Sequence, residues 1–233
     1  MNKLKFFAAL CCAAMVFAAC DKNDEPKNDK NKDNANNGAE NGYEWVNLGL
    51  PSGIKWATCN VDADKPEGYG YYFAWGETAT KDTYSWDTYK HGDGKTFSKY
   101  NATDGLTTLE AADDAAIANW GGSWRMPTDD EWKELRENCN WRWTKSYNDT
   151  TRVAGYIVAS KSNDNSIFLP AAGFLDSRGI NNNGSYGYYW SSSLETEDPK
   201  CAWFTIFSDG QSNSVRRSSV ERFYGRSVRP VCK

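Results

Sequence analysis

The chain has 233 residues, with 27 Lys plus Arg against 31 Asp plus Glu, a formal net charge of −4 and a single His. So even a balance gives no general attraction to nucleic acid or to an anionic lipid surface, and one imidazole excludes the multi-histidine zinc and iron chemistries. Aromatic residues make up 15% of the chain, with 11 Trp, and Gly, Ser and Asn recur throughout, which points to an aromatic-rich, loop-rich chain containing β structure.

Lys3 and Lys5 precede an apolar run over 6–19 that ends in Ala18-Ala19 before Cys20. The run is too short to span a bilayer comfortably and reads as a secretory signal peptide over 1–19. The residues before Cys20 resemble a lipobox, so Cys20 is expected to carry lipid and become the mature N-terminus, anchored in the outer membrane. Asp21-Lys-Asn-Asp-Glu25 resembles the acidic export signal of Bacteroidetes lipoproteins and implies display on the cell exterior. Residues 20–42 hold six acidic residues, four Lys and no large apolar side chain, a composition that cannot offset the entropy of ordering and reads as a disordered tether.

Residues 43–233 are enough for one core and one domain. Strands are expected over 44–50 and 54–60, joined by a turn at Pro51-Ser-Gly53, and over 71–75. A helix over 107–119 is suggested by a Thr107/Glu110 capping box and a stripe of Leu109, Ala112, Ala116 and Trp120, with Gly121-Gly122 as its stop. A second helix starts at Thr128. Glu131 completes a capping box there, Asp129 and Asp130 favour the positive end of the dipole, and Trp132, Leu135 and Cys139 form one apolar face that must pack on a sheet. Further strands are expected over 155–161, 166–173, 186–193, 202–208, 213–220 and 225–231. Two helices on mainly antiparallel, twisted sheets make the fold class α+β.

Of seven Cys, Cys11 and Cys12 leave with the signal and Cys20 takes lipid. Cys59, Cys139, Cys201 and Cys232 remain, and four Cys in an exported domain suggest two disulfides in one of three connectivities. Cys201 opens one expected strand and Cys232 closes another, which favours Cys201–Cys232 and, with them, Cys59–Cys139. The spacings are long and no C-x-x-C occurs, so no metal site is expected. His91 stands in the turn Lys90-His-Gly-Asp-Gly94 and reads as a solvated loop side chain; Asp113-Asp114 and Asp129-Asp130 read as helix-end carboxylates. No Gly-rich loop has nucleotide-binding spacing, and no cofactor is implied.

Helix, Gly-Gly, short link, Pro-Thr cap and helix is the spacing of C-type-lectin-like domains, and Trp124-Arg-Met-Pro-Thr-Asp-Asp-Glu-Trp132 resembles a segment of formylglycine-generating-type proteins. Gly225-Arg-Ser-Val-Arg-Pro-Val231 resembles the closing strand of the major-paralogous-domain family named after Fibrobacter, many members of which are Bacteroidetes lipoproteins. Leu48-Gly-Leu-Pro-Ser-Gly-Ile-Lys-Trp-Ala-Thr-Cys-Asn60, Tyr72-Phe-Ala-Trp-Gly-Glu-Thr78, Asn165-Ser-Ile-Phe-Leu-Pro-Ala-Ala-Gly173 and Tyr186-Gly-Tyr-Tyr-Trp-Ser-Ser192 also resemble that family. The resemblance implies a C-type-lectin-like fold and no single activity. The oxidase chemistry needs a closely spaced Cys pair, whereas Cys201 and Cys232 stand far apart, and the Glu-Pro-Asn and Trp-Asn-Asp motifs of calcium-dependent lectins are missing.

The expectation is therefore a non-catalytic surface module for a glycan or protein ligand, with a structural or fimbria-tip-like component as the alternative. Tyr, Ser, Gly, Asn and Arg concentrate over 176–188 and 208–224, the residues that binding surfaces favour. Asn181, Asn182, Tyr186, Gln211, Asn213, Arg216, Arg217, Arg222 and Tyr224 are expected to cluster on one exposed face, with the arginines suited to carboxylate or sulfate groups. Tyr188, Tyr189 and Trp190 are expected in the core, and Arg226 and Arg229 against buried carboxylates.

Overall fold

The computed structural model describes residues 37–209 and 215–233. The expected leader, Cys20 and most of the tether lie outside the described residues. Residues 37–42, expected to be tether, are instead structured. Strand β1 (Asn37–Glu40) pairs antiparallel with β2 (Tyr43–Val46) across Asn41-Gly42, both at positive φ, 49° and 85°. Asn-Gly is the pair that a tight hairpin turn of this hand selects.

Then follow β3 (Lys55–Ala57), β4 (Tyr72–Phe73), α1 (Ala115–Trp120), α2 (Asp129–Asn138), β5 (Cys139–Thr144), β6 (Gly155–Ser160), β7 (Ser166–Pro170), β8 (Phe174–Asp176) and β9 (Gly179–Asn181). The chain ends with β10 (Tyr186–Leu194), β11 (Cys201–Ser208), β12 (Val215–Glu221), β13 (Arg226–Ser227) and β14 (Val231–Cys232). The sheets run β1-β2-β3-β14, β12-β11-β10-β13-β4 and β5-β6-β7, with β8-β9 as a separate hairpin. The pairing of β10 with β13 is parallel and the other strand pairings are antiparallel. The fold is α+β, mostly sheet, with two α-helices among the described residues and long loops.

Helix α2 begins as its cap dictates. The Thr128 hydroxyl accepts from Glu131 N at 3.2 Å, Glu131 Oε2 accepts from Thr128 N at 2.8 Å, and Arg125 grips the same carboxylate at 2.7 and 2.5 Å. Trp132 and Leu135 are fully buried, and the Trp132 indole donates to Trp190 O at 3.1 Å, which seats the helix on β10. The expected helix over 107–119 survives only in its second half, as α1. Leu194 N donates to Thr107 O and Leu109 N to Ser192 O, both at 2.9 Å, so this stretch lies extended beside β10 and its capping box never forms. Asp114 is the cap, accepting from Ala116 N and Ile117 N with one oxygen and from Met126 N with the other.

The expected disulfides are absent: Cys59, Cys139, Cys201 and Cys232 are all free. Strand alternation explains part of this. Val231 packs with Cys139 in the cluster under α2, whereas its neighbour Cys232 faces the other cluster, around Trp190 and Phe204. Cys201 sits beside Asp198 at the start of β11, and Cys59 beside Thr58 in the loop after β3. Burial pushes the Cys139 and Cys232 thiols up to about 11 and Cys201 to about 12, so all three are neutral at pH 7.

Among the described residues Arg226 and Arg229 find no buried carboxylates. Arg229 donates to Asn60 Oδ1 at 2.9 Å and to the carbonyls of Ala57 and Thr58 at 3.0 and 2.7 Å. Arg222 donates to the carbonyls of Lys99 and Tyr100, both at 3.3 Å, with Phe97 4.2 Å from its guanidinium. Arg226 is 3% exposed; its Nε and Nη1 have no partner, and Phe204, Tyr188 and Trp190 surround it at 3.7, 4.8 and 5.0 Å. Burial pushes this group down to about 9, which corresponds to roughly 5 kcal/mol against the charged form. Cation–π attraction of about 2 kcal/mol or more at desolvated sites offsets part of that.

Two outcomes are expected. Thr128→Ala should lower unfolding free energy by about 1 kcal/mol in urea titrations, the usual cost of a lost N-cap. Arg226→Met should unfold at the same or a higher urea concentration, because an apolar side chain of similar length carries no desolvation cost; a loss of more than about 2 kcal/mol would mean that the rings hold the cation more strongly than this balance allows.

Candidate functional site

Register decides which expected site residues meet. Along β10, Tyr186, Tyr188 and Trp190 face one side of the sheet, and Gly187 and Tyr189 the other. Tyr188 pairs across with Ile206, which pairs with Arg216, so these three form a row on the front face. Tyr186, 38% exposed, stacks on Tyr188 at 5.8 Å with 21° between the rings, and Tyr188 in turn covers Arg226. Asn182, at φ 60°, donates to the Tyr188 hydroxyl at 3.0 Å. Tyr224 packs edge-on against Phe174, which packs edge-on against Tyr188. Gly187 lets the strand close on the back: a Cβ there would lie 2.0 Å from the Phe207 ring.

Asn182, Tyr186, Arg216 and Tyr224 are thus brought to one side, whereas Arg217 and Arg222 are not. Arg217, next to Arg216 on a strand, points to the opposite face, where its Nε is 3.0 Å from Asp129 Oδ2 and its guanidinium lies 3.3 Å over the Trp203 ring. Arg222 is fully buried, because its partners are the loop carbonyls and rings described above. Asn181 donates to Gly179 O at 2.8 Å within its own hairpin. Gln211 and Asn213 lie outside the described residues.

Beside Tyr186, a cavity of about 470 Å³ has no counterpart in the sequence reading. Its walls include Tyr69, Trp143, Lys145, Arg152, Ser185 and Asp209. Trp143 and Lys145 come from the end of β5 and the residue beyond it, Arg152 from the loop to β6, and Ser185 from the turn before β10. The alternation Trp141-Arg-Trp143-Thr-Lys145 is the signal that could have marked β5 and, with it, one wall.

His91 is buried, not solvated as expected. Its Nε2 lies 2.8 Å from Gly76 O and 3.5 Å from Asp113, and its ring packs edge-on against Tyr89 and Tyr100. Asp113 accepts from Lys90 at 2.8 Å, Lys99 at 2.5 Å and the Tyr100 hydroxyl at 2.8 Å. Burial alone would raise the Asp113 carboxyl, but these donors outweigh it and hold it well below the usual carboxylate range. Both side chains are nearly sealed from solvent, so the cluster pins the loop over 89–100 to the turn before α1 and presents no acid or base to a substrate. Among the described residues no group of His, Cys, Asp and Glu could hold a metal ion. None of the helices among them is long and apolar enough to cross a membrane.

Residues 143–231 match the family described as Domain of unknown function (DUF8237). The match begins at Trp143 and takes in the Tyr186 face and most of the cavity beside it. No curated protein matches the chain. No solved structure matches it either.

The buried histidine sets an acid limit. Desolvation pushes the His91 imidazole below its ordinary value of 6.5, against the pull of Gly76 O and Asp113, so the folded chain binds this proton less readily than the unfolded one. The stabilising contribution is complete above that ordinary value and falls away as pH drops below it. The urea midpoint should decline from pH 7 to pH 5, and His91→Gln should flatten that decline; an equal slope in both proteins would assign the titration to other groups.

Proposed function

We propose that this chain is a non-catalytic ligand-binding module with a C-type-lectin-like fold, displayed on the outside of the outer membrane through lipid on Cys20. The fold reading is supported by the two helices joined through Gly121-Gly122, by the seat of α2 on the five-stranded sheet, and by the return of β14 to β3, which brings the two ends of the described chain into one sheet. The lipoprotein reading rests on the residues around Cys20. The neutral thiols of Cys201 and Cys232, held apart, favour binding over formylglycine-type oxidase chemistry.

The observation that carries the binding reading is the exposed Tyr186 ring, stacked on Tyr188 and backed by the core, with Asn182 and Arg216 on the same face. An aromatic held in place before a ligand arrives loses little entropy on binding, and neighbouring amide and guanidinium groups supply directional hydrogen bonds. The ligand class is a glycan or a protein carrying acidic groups.

Glycan and protein arrays probed with the full chain should yield a ligand whose affinity falls about tenfold or more in Tyr186→Ala and in Arg216→Ala, with unchanged melting temperatures. Arg217→Ala is the internal control. It removes a contact to Asp129 on the opposite face and should lower stability while leaving affinity intact. Binding that survives both front-face substitutions would put the site elsewhere.

A further inference from the structure

The cavity beside Tyr186 carries its own chemistry. Lys145 and Arg152 both line it, both are exposed, and neither makes an ion pair or side-chain hydrogen bond among the described residues. Arg125, Arg178, Arg217, Lys81, Lys90 and Lys99, by contrast, each hold a carboxylate. Against these two cations the cavity wall carries one carboxylate, Asp209, so the lining is net positive and favours an anion.

The walls say what kind of molecule bears that anion. Trp143 and Tyr69 are half-buried rings, and the Trp143 indole N–H is shielded from water with no acceptor in the protein. Ser185 adds a hydroxyl, and Asp209 an acceptor for ligand hydroxyls. Rings for a C–H face, acceptors and donors for hydroxyls, and cations for a carboxylate are together the requirements of an acidic sugar, and about 470 Å³ is within the range of small-ligand sites. The site is also braced. Asn148 accepts from Thr150 N and Thr151 N and donates to Glu67 at 2.9 Å, which fixes the loop that carries Arg152.

We infer that this cavity is a subsite for a saccharide bearing a carboxylate, in which Arg152 and Lys145 receive the carboxylate, Trp143 and Tyr69 pack on the ring, and Ser185 and Asp209 meet its hydroxyls. The inference rests on the ligand-binding reading of this end of the sheet and names a ligand class for it.

The test is calorimetric or NMR titration of the full chain with methyl glucuronide and with methyl glucoside at constant ionic strength. The glucuronide should bind roughly tenfold or more tightly, the scale of one charge-assisted contact. That preference should narrow as salt is raised and vanish in the Lys145→Ala/Arg152→Ala double variant, whose melting temperature should not change because both side chains are exposed. Equal affinity for the two sugars, no binding of the glucuronide, or a preference that persists in the double variant would overturn the assignment. Array binding that depends on Tyr186 would still stand in those cases, and a glucuronide preference without any array ligand would retain the subsite while removing the broader reading.

Discussion

Burying three guanidinium groups within residues 222–229 is the constraint on which the rest of the structure depends. Each must be desolvated, and none meets a carboxylate, so the surrounding chain has to present something else that tolerates positive charge. Arg229 draws the carbonyls of Ala57 and Thr58 and the amide of Asn60 toward itself, and Arg222 does the same with Lys99 and Tyr100. Arg226 takes ring faces instead. Two loops with little regular secondary structure thereby acquire a defined path, and the front-face aromatics acquire a rigid backing. The last turn of the chain organises parts of the molecule that precede it by well over a hundred residues.

What was legible in the amino-acid order was what local chemistry decides. The Thr128 cap, the buried face of Trp132 and Leu135, and the stop at Gly121 all depend on residues within a turn or two of each other. The stretch from Thr107 failed the same test because partners at 192–194 offered its backbone a better arrangement than its own capping box did. Strand β1 was hidden in a polar stretch, although Asn41-Gly42 was a sound hairpin signal. Strand ends alone do not pair cysteines, because strand parity sends Val231 and Cys232 to opposite sides.

The same parity divided the expected site. Asn182, Tyr186, Arg216 and Tyr224 lie on one side of the sheet, but adjacent residues on a strand cannot share a face, and Arg216 and Arg217 are adjacent on β12. Arg222 was assigned to the surface because an arginine ordinarily belongs there; only the packed rings around it reverse that. The cavity lay beyond sequence reasoning because it joins Tyr69, the end of β5, the loop over 145–154, the turn before β10 and Asp209, which no spacing rule connects.

The β1–β2 hairpin has a mechanical consequence. Its tip is fastened: Glu40 accepts from Ser123 N at 2.9 Å with its carboxylate and from the Trp124 indole at 2.7 Å with its carbonyl, and Asn41 donates to Trp120 O. Force transmitted through the chain that precedes Asn37 meets the hairpin first at its open end, where Asn37 pairs with Val46, so a peeling load would break the rungs in succession from there. Such a joint gives way gently at first and then stiffens when the tear reaches Glu40 and Asn41. A peeling tug on the chain would thus meet four paired residues before the strand was free.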